Sequence, residues 1–292
     1  MSRFRFRGRR RRTREPRPDR IPLRAVVPNL VTSLAACAGI TSISLASEGR
    51  FMHALVALLV ACVCDGMDGR IARLLKASSK LGAELDSLAD FVNFGVAPAM
   101  FMYFWMTGGP DHMLADGGVV ARPLVRLVLG CSLYYAMCDC FRLARFNTML
   151  EQEPLPYWKH FFTGVPAPGG CWMVLTPAIL SIALDAKGKA PALATFLQNP
   201  WTGMFMLLFV GTLMASRLPT ISLKAIHLHG KSQVRLFTTA ALLLIGLLVC
   251  DLWLTLGVLG LLYMLTVPVT GALFLRVRAK YERGLTSGAD KV

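Results

Sequence analysis

Four aspartates, Asp65, Asp68, Asp86 and Asp90, fall within 26 residues of a chain in which 54% of residues are hydrophobic and only 17% charged. An ionised carboxylate inside an apolar segment costs several kcal/mol unless something pairs with it, so an acid in such a place is a functional signal. The spacings point the same way. Asp65 and Asp68 are three apart and Asp86 and Asp90 four apart, so on helices each pair projects from one face, separated by about 60° and about 40°. Between them lies Ser78-Ser79-Lys80 with Gly82, a stretch that reads as a reversal between two antiparallel helices. Both acid pairs then reach the same level. Arg70 and Arg73 are too few to neutralise four converging carboxylates, whereas divalent cations on oxygen ligands would do so. With no His or thiolate converging on them, the acids favour a hard ion, Mg²⁺ or Mn²⁺. Two ions sharing carboxylates suit phosphoryl transfer. Gly66, Gly69 and Ala72 leave a stripe free of side chains beside the acids, where a ligand or a neighbouring helix can come close.

The elements that carry these residues are membrane spans. The 292-residue chain has a mean hydropathy of +0.52, which excludes a disordered or ordinary water-soluble protein. A helix crossing a bilayer needs about 20 mostly apolar residues. The sequence offers about eight such segments, at 26–46, 51–74, 84–106, 121–143, 166–184, 201–218, 235–251 and 253–275. The expected fold is therefore an all-α, polytopic membrane helix bundle of about eight spans, or six if two weak candidates do not cross. Asp251 leaves almost no loop between the last two.

The charge is +15, from 32 Lys and Arg against 17 Asp and Glu. Eleven of the bases lie between Arg3 and Arg24, opposed only by Glu15 and Asp19. That head, residues 1–24, is expected to be disordered and cytoplasmic and to touch anionic headgroups. Nucleic-acid binding is disfavoured, because a basic tail directly before an apolar stretch marks the cytoplasmic side of a membrane. The links 70–85 and 217–235 and the tail 276–292 are also basic, while the alternate links are poorer in base. Both termini are thus expected in the cytoplasm. The organisation follows: head, a catalytic membrane region at 25–184, further spans at 185–275, and a basic tail at 276–292. All eight cysteines lie in apolar segments. Cys62 with Cys64, and Cys138 with Cys140, are two apart and point about 200° from each other on a helix, so neither pair converges on one metal. His227 and His229 meet the same objection and receive no role.

The run Asp65-x2-Asp68-Gly69-x2-Ala72-Arg73-x8-Gly82-x3-Asp86-x3-Asp90 resembles the complete signature of the CDP-alcohol phosphatidyltransferase family. The resemblance implies a helical membrane enzyme that moves a phosphatidyl or related group from a CDP-linked donor to an alcohol and releases CMP. It gives Asp65, Asp68, Asp86 and Asp90 as metal ligands, Asp90 also as general base, and Asn29, Gly69, Arg73 and Ser79 as contacts of CDP-diacylglycerol. Four further segments resemble the serine-using members: Pro28-Asn29-Leu-Val-Thr32, Asp86 through Pro98, Arg142-Leu-Ala-Arg145-Phe-Asn147 and Gly164-Val-Pro166-Ala-Pro168. The resemblance spans roughly residues 28–170. It implies L-serine as acceptor and an inner-membrane location, and by likeness alone a homodimer. The serine carboxylate needs a cation, and Arg142 and Arg145, three apart, are the candidates. A sister transferase using glycerol 3-phosphate, inositol or an inositol phosphate is the nearest alternative. A divalent-cation carrier is the alternative of another class, but it would place acids near the midplane in both halves of a repeat.

Overall fold

The computed structural model describes residues 23–77, 79–107, 121–149, 161–185, 188, 190–216, 219–221 and 231–289. The protein is an all-α, polytopic membrane bundle. Its helices are α1 (Leu23–Ser47), α2 (Phe51–Leu74), α3 (Lys80–Asp90), α4 (Ala97–Thr107), α5 (Ala121–Met149), α6 (Ala167–Asp185), α7 (Pro191–Gln198), α8 (Pro200–Ala215), α9 (Lys231–Cys250) and α10 (Leu252–Ala289). Two three-residue strands add to the expected all-helical plan. Phe161–Thr163 pairs antiparallel with Pro219–Ile221.

Among the described residues, α1, α2, α5, α6 and α10 are each long and apolar enough to cross a bilayer. The α7–α8 pair qualifies as a sixth, bent by 59°. Asn199 makes that bend: its side chain accepts from the Trp201 N–H at 3.0 Å to start α8, and Pro200 has no N–H to continue α7. The sequence spans did not include α7. The expected span 84–106 is α3 and α4 joined by a π turn over Phe91–Val96, with right-handed helical backbone at both joints. Segment 235–251 is a shorter apolar helix within α9. The expected tail does not begin at an element boundary, because α10 continues to Ala289. Residues 1–22 of the basic head, most of the 217–235 link and its His227 and His229 lie outside the described residues.

Helix α6 is the centre of the bundle. Its most apolar stretch is 72% buried, against 22% for that of α10, which leaves most of its side chains to lipid. Close approach of the two comes from glycine, since a Cβ on Gly257 or Gly260 would overlap Leu180 or Thr176 of α6. Trp172 Nε1 then donates to the Leu256 carbonyl at 3.0 Å. The core around α6 includes Phe101, Met102, Met173, Ile179, Leu207 and Met214. This packed body holds α1, α2 and α3 against it, and the site lies at one end of those three.

Candidate active site

Helices α2 and α3 form the expected reversal, and its geometry is specific. The Ala77 N–H reaches back to the Ala72 carbonyl (2.9 Å) and the Lys76 N–H to that of Arg73 (3.2 Å), with Lys76 at φ +50°. This is a Schellman closure with lysine in the left-handed position that glycine usually takes. Helix α3 restarts at once. Ser79, in extended backbone, accepts the Gly82 N–H at 3.0 Å as its N-cap. The short turn therefore sets the acid-bearing ends of the two helices side by side.

Carboxylate oxygens of Asp65, Asp68 and Asp86 all lie within 4.8 Å of one another. Asp68 is 4% exposed and fixed by two donors: the Thr32 hydroxyl on α1 stands 2.6 Å from Oδ2, and the Gly69 N–H is 2.5 Å from Oδ1. Asp90, one turn deeper on α3, sits against Asp65, with its Oδ1 buried and without a hydrogen-bond partner. Among the described residues, no Lys or Arg nitrogen comes within 4.0 Å of any of the four; the one such ion pair is Arg50 with Glu48 at 3.6 Å. Oxygen-only donors, clustered, oriented and lacking a cation, fit a hard divalent ion.

A cleft of about 220 Å³ opens beside the triad. Asn29 and Thr32 of α1, Gly69 and Arg73 of α2, and Ser79 and Gly82 of α3 line it together with Asp68 and Asp86. Every residue expected to meet the nucleotide donor is thus at one cavity. Gly69 has open space where a Cβ would stand. Gly82 has none: a Cβ there would lie 3.0 Å from Asn29 Oδ1 and 3.1 Å from Ser79 Oγ, so glycine is what lets α1 approach the start of α3. Gly66, expected in the same stripe, does not line the cleft. Arg73 is exposed at the rim, its Nε donating to the Gly69 carbonyl at 3.0 Å. The N-terminal end of α3, with its unpaired N–H groups and partial positive charge, faces the same space, an arrangement that receives phosphate.

The two arginines of α5 diverge. Arg142 is half-buried within electrostatic range of Asp90 and Asp139, with its Nε unpartnered. Arg145 points elsewhere. Its Nη1 and Nη2 donate to the carbonyls of Ser216 (3.1 Å) and Ala215 (2.7 Å), closing the C-terminal end of α8. Carbonyls at a helix end are strong acceptors and hold this guanidinium, so the structure does not bring Arg145 together with Arg142. Thr32 has no charge or spacing that marks it in the sequence, and its role shows only in its contact with Asp68. Asp139 is a further acid inside a span, and the rule that marks the other four applies to it as well.

The chain matches the family model for CDP-alcohol phosphatidyltransferase over residues 25–214. It is 35% identical over 211 residues to the CDP-diacylglycerol–serine O-phosphatidyltransferase of Mycobacterium leprae, an alignment covering 72% of this chain and 64% of that protein. The Helicobacter pylori enzyme of the same name is 33% identical over 193 residues (65% of this chain, 70% of that one). The Bacillus subtilis enzyme of that name is 32% identical over 162 residues (53% and 80%). An intact signature of eight specified positions, a cluster of acids beside a cleft, and a match over some two thirds of the chain agree: this protein belongs to the CDP-alcohol phosphatidyltransferase family.

Proposed function

We propose that the protein transfers the phosphatidyl group of CDP-diacylglycerol to the hydroxyl of L-serine, yielding phosphatidylserine and CMP. The observation that carries this reading is the convergence of Asp65, Asp68 and Asp86, with no cationic partner among the described residues, beside a cleft lined by Asp68, Asp86, Gly69, Arg73 and Gly82. Its choice of acceptor is supported by the names of the three relatives.

The donor's acyl chains lie in the bilayer beside α1 and α2, and its cytidine diphosphate occupies the cleft. Asn29 and the bare surface at Gly69 admit the nucleotide, while Arg73 and the Ser79-capped start of α3 receive phosphate charge. Asp65, Asp68, Asp86 and Asp90 would hold divalent ions, Mg²⁺ or Mn²⁺ and two in number, which when bound polarise the phosphoryl oxygens and stabilise negative charge on the departing CMP. Thr32 keeps Asp68 turned toward the cluster. Asp90 has a buried oxygen with no partner and takes the proton of the serine hydroxyl. The serine oxygen then forms a bond to the phosphorus that carries diacylglycerol as the bond from that phosphorus to the CMP oxygen breaks. Arg142, near Asp90, neutralises the serine carboxylate. Arg145 serves the position of Arg142 by tying α5 to α8.

The site lies at the cytoplasmic face of the inner membrane, with both termini on that side, as the basic links and head support. The head lies against anionic lipid, with no role in nucleic-acid binding, and a homodimer follows from family likeness. Purified protein in detergent, supplied with CDP-diacylglycerol, Mn²⁺ or Mg²⁺ and serine, should release CMP and yield a lipid of the mass of phosphatidylserine. Turnover with glycerol 3-phosphate or inositol in place of serine would assign the acceptor to a sister reaction instead.

A further inference from the structure

Behind Asp90 the bundle holds polar groups that the reaction as described does not use. Asp139 on α5 is 0% exposed, and neither of its carboxylate oxygens has a hydrogen-bond partner. Arg142 is one turn along the same face, and its guanidinium is within electrostatic range of both Asp139 and Asp90. Yet among the described residues Asp139 and Arg142 form no ion pair within 4.0 Å. Burying an unpaired carboxylate is costly, and a nearby guanidinium that stops short of contact does not remove the cost. The arrangement is a negative and a positive group held apart, both within electrostatic range of the proposed base.

The backbone makes room for it. Asp139 Oδ2 stands 2.7 Å from where a Cβ on Gly95 would lie, so any side chain at that position would displace the carboxylate. Gly95 belongs to the π turn, whose Phe94 carbonyl takes the Tyr135 hydroxyl at 2.9 Å, and Tyr135 is one turn before Asp139 on α5. Asn93, on the same turn, is 0% exposed with both amide atoms unpartnered. Its amide oxygen lies against Gly39 of α1, so the groups at the contact of the π turn with α5 are the Tyr135–Phe94 hydrogen bond and the unpartnered Asp139 carboxylate.

We propose that Asp139 binds the ammonium group of the acceptor, so that Asp139 and Arg142 together select an amino-acid zwitterion and present its hydroxyl to Asp90. This rests on serine being the acceptor. An α-amino acid carries its ammonium and its carboxylate on the same carbon, which suits opposite charges one helical turn apart on a single face. The same carboxylate repels a phosphorylated alcohol, since Asp139 and Asp90 would both oppose its charge.

The test compares acceptors in the metal-loaded protein with CDP-diacylglycerol. Asp139→Asn keeps the shape and removes the charge. It should raise the serine KM by about 30-fold or more and leave the donor KM within about twofold, as for loss of one partner of a buried charge pair. The preference for serine over 3-hydroxypropanoate, which lacks the ammonium, should collapse by a similar factor. An Asp139→Asn protein that keeps the wild-type preference overturns the proposal. A second measurement needs no variant: alanine should compete with serine at least about tenfold better than propanoate does, and equal inhibition overturns the proposal. Wild-type protein that turns over another alcohol but not serine refutes the acceptor reading, and the ammonium site with it.

Discussion

The two sides of Asp90 are built in opposite ways. On the outer side the cleft exists because side chains are missing, at Gly69 and Gly82, and because one short turn sets two helix ends together. On the inner side a side chain is present and unsatisfied: the Asp139 carboxylate, buried where α5 packs on Gly95 of the π turn. The outer side is suited to a large, flexible donor that enters partly from lipid. The inner side is suited to a small ligand that must replace the solvation its binding groups have lost. In the proposed reaction one substrate is bound by vacancy and the other by unsatisfied polarity, with the proposed base, Asp90, between them.

The largest expected effect strikes the shared group. Asp90→Asn should lower CMP release on the order of 10³-fold while the protein remains extractable and monodisperse; retained turnover would move the base elsewhere and dissolve the division into two sides. Next comes the outer wall. Gly82→Val fills the approach to Asn29 and Ser79, and the donor KM should rise about 30-fold with the serine KM unchanged, as expected for overpacking of a close contact. Equal rises in both constants would show that the cleft serves both substrates. Thr32→Val removes the donor that orients Asp68, and half-saturation by Mn²⁺ should require about tenfold more metal. The smallest change is on the inner side. Tyr135→Phe leaves the Phe94 carbonyl without its partner and should lower stability by about 1 to 2 kcal/mol, read by denaturant unfolding in detergent. A larger loss of serine affinity than of stability would show that the clamp also positions the proposed acceptor site.

The acid pairs were legible because helical geometry converts spacing into direction: three or four residues keep two carboxylates on one face in any helix. The reversal was legible from Ser79 and Gly82, which act as N-cap and close-approach residue. The spans were legible from hydropathy over most of their length. The π turn was not, because Phe91–Val96 is as apolar as any helix and its extra residue per turn is stabilised by Tyr135, 41 positions away. Helix α7 was missed because eight residues are too few for a span and its bend depends on Asn199. Arg142 and Arg145 share a residue type and a face, and only the carbonyls at the end of α8 separate their roles.

By itself the sequence determined the membrane class, the family and the four acids, since hydropathy and helical periodicity are local properties that need no partner. The tertiary structure decided which groups face one another. It joined Thr32 to Asp68, sent Arg145 to α8, and left the buried Asp139 carboxylate without a hydrogen-bond partner. Those outcomes depend on contacts between helices far apart in the chain, and whether a buried charge is satisfied is a property of its surroundings, not of its place in the sequence.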